Sequence, residues 1–137
     1  LQNTLLNIIV SPGIVSVSVH PHYNGGVAHA LFYGLTSRKH IEERHLHGEV
    51  VSYGTLVNLL LDKDWGKLDQ AYRLSQSIKL PVCLADLELE KDDPLDDVLE
   101  VTMANQELLH TPYLVTKESI RKAIADLEEY QPGCRQE

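Results

Sequence analysis

From Val50 to Leu61 the chain reads VVSYGTLVNLLL, apolar nearly all round: Val50, Val51, Tyr53, Leu56, Val57, Leu59, Leu60 and Leu61. A helix built from this stretch has almost no polar face to turn to water, so it belongs at the centre of a core with other elements packed around it. Gly54 in its middle costs roughly 1 kcal/mol against alanine in a helix interior. A close approach by a neighbouring helix would explain why it is tolerated. The longest apolar candidate, Leu56 to Leu61, is interrupted by Asn58 and stops at Asp62. That is far short of the roughly 20 residues needed to span a bilayer.

The remaining pattern supplies the surrounding helices. Apolar residues at Leu1, Leu5, Ile8 and Ile9 predict a helix that ends at Ser11-Pro12-Gly13. Ile14 to Val19 alternates apolar residues with Ser16 and Ser18, a strand by its period of two, yet no partner strand is evident. The stretch is expected to be helical or irregular. His20 to Gly26 reads as a turn or loop by its Pro, Asn and Gly content. Val27 begins a short, mostly buried helix, VAHALFYGL. Thr36 to Leu46 is polar and charged, and His47-Gly48-Glu49 opens the core helix. Three more helices are predicted: about Lys67 to Ile78, stopped by Leu80-Pro81; Leu95 to Leu109, begun by Asp93-Pro94; and Lys117 to Tyr130, begun at Thr116 with Ser119. The acids from Asp92 to Asp97 read as a solvated helix start rather than a cation site. The fold class is all-α, a compact helical bundle, and residues 1–137 form a single domain with no internal repeat or linker.

With 20 acidic against 12 basic residues the net charge is -8. A surface of that sign repels phosphate backbones, so no nucleic acid partner is expected, and no membrane either. Cys83 and Cys134 form neither a disulfide framework nor a metal-binding spacing. Cys83 reads as a buried small hydrophobe and Cys134 as part of a frayed tail; neither has the electropositive setting of a reactive thiol. A reducing, cytoplasmic location is expected. A first residue Leu1, with no signal-peptide pattern, reads as a piece of a longer chain.

Of seven histidines, six lie between His20 and His47. His40 and His45 fall among Arg38, Lys39, Glu42, Glu43 and Arg44 and are expected on the surface. His110 lies at a helix end, where a hydrogen bond to free carbonyls is ordinary. His20 and His22 flank a proline, exposed or lining a cleft. His29 and His47 differ, since each is embedded in apolar or small residues. A buried imidazole needs a partner for each ring nitrogen, supplied by a satisfied core contact or by a metal. Eighteen residues apart, they have no short-motif spacing such as HExxH, so spacing leaves both readings open.

Four blocks add to this: GGVAHALFYGLT (25–36), HLHGEVVSYGTLVNLLL (45–61), KLPVCLADLEL (79–89) and HTPYLVTKESIRKAIADLEEY (110–130). In this order they resemble consecutive blocks of the glycerol dehydrogenase family, within the iron-containing alcohol dehydrogenase group, over nearly all of 19–130. The resemblance implies the C-terminal helical domain of a two-domain, metal-dependent enzyme whose N-terminal nucleotide-binding domain is absent here. It implies one divalent metal, Zn2+ or Fe2+, between the domains, with NAD as cofactor of the full-length parent. His29 and His47 match the metal-ligand positions, and His29 would also contact the substrate hydroxyl. The implied substrate is a small alcohol or polyol, and the implied assembly a homo-oligomer. Glycines 25, 26, 34, 48 and 54 would let backbone approach the metal and cofactor, with turns and helix ends an equal reading for Gly34 and Gly48.

The chain also departs from the family. The third ligand, an aspartate on an earlier helix, lies outside it, so the isolated fragment is expected to be inactive. Where many relatives carry a polar residue three or four positions after the first histidine, this chain has Phe32 and Tyr33. Two alternatives therefore stand beside the dehydrogenase reading: a non-catalytic or degenerate helical interaction module, and an enzyme like the glycerol-1-phosphate dehydrogenases. Few cations near His29 weigh against the phosphate-bearing substrate of the latter.

Overall fold

The fold is taken from a computed structural model, which describes residues 2–18 and 25–133, with backbone alone at residues 2, 5, 7, 8, 11, 12, 15 and 16. Among the described residues the chain is all-helical: α1 (Gln2–Ser18), α2 (Val27–Leu35), α3 (Lys39–Arg44), α4 (His47–Leu61), α5 (Trp65–Ser77), α6 (Asp96–Met103) and α7 (Lys117–Glu128). Two 3-10 turns, Leu84–Leu87 and Gln106–His110, lie between α5 and α6 and between α6 and α7.

The apolar stretch at 50–61 is the central helix. α4 packs against α2, α5 and α7, and α6 bridges α2 and α7. Val50, Tyr53, Leu56 and Val57 are essentially inaccessible, facing Leu31 and Leu35 of α2, Leu68 of α5 and Ile120 of α7 in one continuous core. Two glycines set how closely these helices meet. A Cβ on Gly54 would stand 2.6 Å from the carbonyl oxygen of Ala28, so α4 and α2 touch backbone to backbone. A Cβ on Gly34 would meet Thr102 Oγ1 at 2.1 Å and the Val98 oxygen at 2.5 Å, the same device between α2 and α6. The expected close approach at Gly54 is there. Neither glycine is spared for a metal or cofactor: both are small because another helix occupies the space.

Several boundaries differ from the sequence reading. α1 does not end at Ser11-Pro12-Gly13 but continues to Ser18, although Pro12 has no N–H to donate to the carbonyl four residues earlier. Leu6, Ile9, Ile14 and Val17 are exposed on it, and the alternating stretch is helical as far as Ser18 rather than a strand. The charged segment after Thr36 contains a helix of its own, α3, turned inward at Ile41. The helix predicted from Leu95 to Leu109 breaks after Met103. Asn105 there accepts a hydrogen bond from the Glu107 N–H at 2.9 Å, starting a 3-10 turn; such local bonds by Asn compete with helix continuation. The start of α7 is as predicted, with Thr116 Oγ1 accepting from the Ser119 N–H and Ser119 Oγ from the Thr116 N–H.

The acids before α6 are not a solvated helix start alone. Arg38, its side chain 18% exposed, donates to both carboxylate oxygens of Asp97 and to the Pro94 carbonyl, with Asp93 at 3.8 Å. The pair joins the start of α3 to the start of α6. The Arg38 guanidinium holds the Asp97 carboxyl below the usual carboxylate range. No helix among the described residues is long and apolar enough to cross a membrane.

Candidate metal centre

His29 is the third residue of α2 and His47 the first of α4. The backbone contact at Gly54 and Ala28 holds these helices together, and Ala28 is the neighbour of His29. Glu49 sets the beginning of α4: its carboxylate accepts from the Leu46 N–H at 2.8 Å, while its own N–H donates to the Leu46 carbonyl. This is the glutamate half of a capping box, with Leu46 unable to return the side-chain half.

The two imidazoles converge. Their ring centroids lie 5.6 Å apart with the planes tilted by 43°. With zinc–nitrogen bonds near 2.0–2.1 Å, two imidazoles on one tetrahedral ion place their centroids roughly 5 Å apart. The observed spacing is thus within a small side-chain adjustment of a shared cation. His29 is half-buried, but His47 is exposed, contrary to the enclosed setting that its flanking residues suggest. As the first residue of α4 it projects beyond the core rather than into it. Phe32, one helical turn after His29, packs its ring edge-on to His47, with centroids 4.3 Å apart and an interplanar angle of 62°. It also meets Tyr33 edge to face at 5.2 Å. The Phe32 phenyl group thus restrains the His47 ring by aromatic contact. Sequence reasoning missed this role, and the three-residue spacing from His29 was the available signal.

Among the described residues no third His, Cys, Asp or Glu joins the pair to make a metal-holding group. The donor chemistry fits zinc or ferrous iron in type, since imidazole suits both, and falls short in number. The other candidates lie elsewhere. His20 and His22 fall outside the described residues, as does Cys134. His40 is half-buried, and His110 ends the second 3-10 turn. His45, expected on the surface, has a side chain only 13% exposed because α3 folds it back against the start of α4. Its Nδ1 is 3.7 Å from Glu49 Oε2, and its Nε2 is buried without a hydrogen-bond partner. With Glu49, Gln76, Lys79 and Pro81 it lines a cavity of about 450 Å3. Cys83 is half-buried rather than buried, and burial pushes its thiol pKa up, the direction of an unreactive thiol.

The chain is 36% identical over 108 residues to a glycerol dehydrogenase of Citrobacter freundii, a match covering 73% of this chain and 29% of that enzyme. It is 33% identical to hydroxycarboxylate dehydrogenase A of Escherichia coli (strain K12), over 76% of this chain and 29% of that one. The fold superposes on the crystal structure of a probable glycerol dehydrogenase from Sinorhizobium meliloti 1021 with a TM-score of 0.69 and 31% identity, over 76% of this chain and 30% of that one. The chain is a homologue of the glycerol dehydrogenases. It spans about 30% of the length of these relatives. No protein-family model matches it. The helical bundle is therefore one this family uses, and the converging pair sits within it.

Proposed function

We propose that the chain is the metal-binding helical part of an NAD-dependent dehydrogenase of small alcohols or polyols, with His29 and His47 as two ligands of one divalent cation. The observation that carries the reading is the 5.6 Å separation of the two rings in a fold shared with glycerol dehydrogenases. When bound, zinc or iron would polarise the substrate hydroxyl and stabilise the alkoxide as hydride leaves for the nicotinamide. The chain's own contribution is geometric. His29, held by the α2–α4 contact, would offer the cation a ring nitrogen from the half-buried side, and His47 would offer one from the exposed side. Phe32 excludes water from one flank of His47. The third ligand and the nucleotide site belong to sequence beyond these residues, so the chain alone is expected to give no NAD-dependent glycerol oxidation.

Zinc titration of the chain in competition with a chromophoric chelator tests the assignment. Binding is expected to be weak and to vanish in His29→Ala and in His47→Ala; unchanged affinity in both variants would falsify it. A second reading, a helical module without catalysis, is favoured by the absence of a third ligand among the described residues and by Phe32. It predicts no zinc binding in the wild type as well.

A further inference from the structure

The start of α2 is held by a residue 81 positions away. The Gly26 N–H donates to Glu107 Oε2 at 3.1 Å in a half-buried setting. The same carboxylate fills the space that a side chain at residue 25 would need: a Cβ there would stand 1.8 Å from Oε2 and 2.2 Å from Cδ. Gly25 therefore leaves room for Glu107, which accounts for the first glycine of the pair. Glu107 is itself fixed, because its N–H donates to the Asn105 side chain at 2.9 Å. The next residue, Leu108, packs on the core. The Glu107 carboxylate also lies at the amino end of a nine-residue helix, where the helix dipole favours a negative charge.

His29 lies in the first turn of this helix, three residues after Gly26. In the same turn Ala28 packs against Gly54 of α4, and farther along Gly34 packs against Thr102 of α6. These contacts fix its distance from α4 and α6, while an anchor at its amino end fixes the direction in which the first turn points. We propose that Glu107 is a positioning residue for His29: seated on Gly25 and bonded to Gly26, it sets the angle at which the imidazole meets His47. The inference rests on the metal-pair reading for its consequence, though not for its geometry.

The test uses the whole chain with Glu107→Ala, Glu107→Gln, Gly25→Ala and the Gly25→Ala/Glu107→Ala double variant. Two quantities are read: zinc affinity by chelator competition, and the metal-free imidazole resonances of His29, assigned by their loss in His29→Ala. Glu107→Ala is expected to weaken zinc about tenfold, the low end for groups that orient metal ligands, and to shift the His29 resonances. Glu107→Gln, which keeps an acceptor oxygen, restores most of both. Gly25→Ala is expected to be as damaging as Glu107→Ala, and less damaging once the carboxylate is gone. Such non-additivity marks direct contact. If Gly25→Ala fails to fold, the comparison of Gln with Ala at residue 107 decides. Unmoved His29 resonances in Glu107→Ala, or strictly additive effects at residues 25 and 107, would overturn the proposal. Zinc affinity that is the same in wild type and His29→Ala would sink the metal reading instead, leaving the resonances to judge Glu107.

Discussion

Gly54→Ala is the substitution whose outcome the packing constrains most. The added methyl would stand 2.6 Å from the Ala28 carbonyl oxygen, 2.9 Å from its Cα and 3.1 Å from its carbonyl carbon, all backbone. Ordinary contact begins near 3.4 Å, so α2 and α4 must separate by about 0.8 Å, and no rotamer change can substitute for that movement. Overpacking of this kind costs about 1–3 kcal/mol. The helix-propensity gain of alanine over glycine returns about 1 kcal/mol. With backbone on the opposing side, the upper part of the cost range applies, leaving a net loss on the order of 2 kcal/mol. For a urea slope of about 2 kcal/mol/M the unfolding midpoint falls by roughly 1 M. Gly48→Ala is the control: it lies in the first turn of α4 with nothing within 4 Å of the added Cβ, so it is expected to stabilise by a few tenths to about 1 kcal/mol. Urea unfolding followed by circular dichroism measures both. A Gly54→Ala protein as stable as wild type would refute the claim that this glycine is required by helix contact, and with it the account of how His29 and His47 are held together.

Asp97→Asn is expected to cost about 1 kcal/mol near neutrality, since Asp97 is half in solvent while its partner Arg38 is mostly buried. Arg38 lowers the folded-state pKa of Asp97, so the pair's contribution is present above the unfolded value, about 3.9, and lost as pH falls through the lower folded value. The gap in urea midpoint between wild type and variant should close in acid, and a gap independent of pH would show that charge is not involved. Tyr53→Phe is expected to stabilise by about 1 kcal/mol, because the hydroxyl is wholly buried and lacks a partner of normal geometry. Burial first, and Glu128 second, raise its pKa; a clear loss of thermal stability in the phenylalanine variant would reveal a working bond to Glu128.

The core was legible because a stretch apolar on all sides admits few arrangements. Once Val50 to Leu61 is taken as central, Gly54 has to be a contact, and α2, α5 and α7 follow from their own apolar spacing. The misread parts depend on partners remote in sequence. Arg38 gives α3 and the acids of 93–97 a shared purpose across more than fifty residues, and neither segment announces it alone. The break at Asn105 is a local side-chain bond outcompeting helix continuation, a balance that periodicity does not weigh. Of the candidate site, the nearness of His29 to His47 was readable from the blocks around them, whereas the places of Phe32 and Glu107 depend on which helix faces which.

His47 is where burial and chemistry part company. Its neighbours Leu46 and Val50 suggest an enclosed ring, and an enclosed ring would need a hydrogen bond at each nitrogen. Leu46 is itself 72% exposed, and His47 stands out with it at the tip of α4. An exposed imidazole carries no such debt to the core, so satisfaction of a buried group cannot be the reason for it. What restrains it is contact with Phe32 on one side and His29 close by, an arrangement that narrows the ring's rotamers while leaving its nitrogens accessible. A structural zinc site encloses its ion in four protein ligands, whereas a catalytic one keeps a position open. Two imidazoles at a surface, one half-buried and one exposed, are arranged more like the second type than the first, and among the described residues no further His, Cys, Asp or Glu joins them.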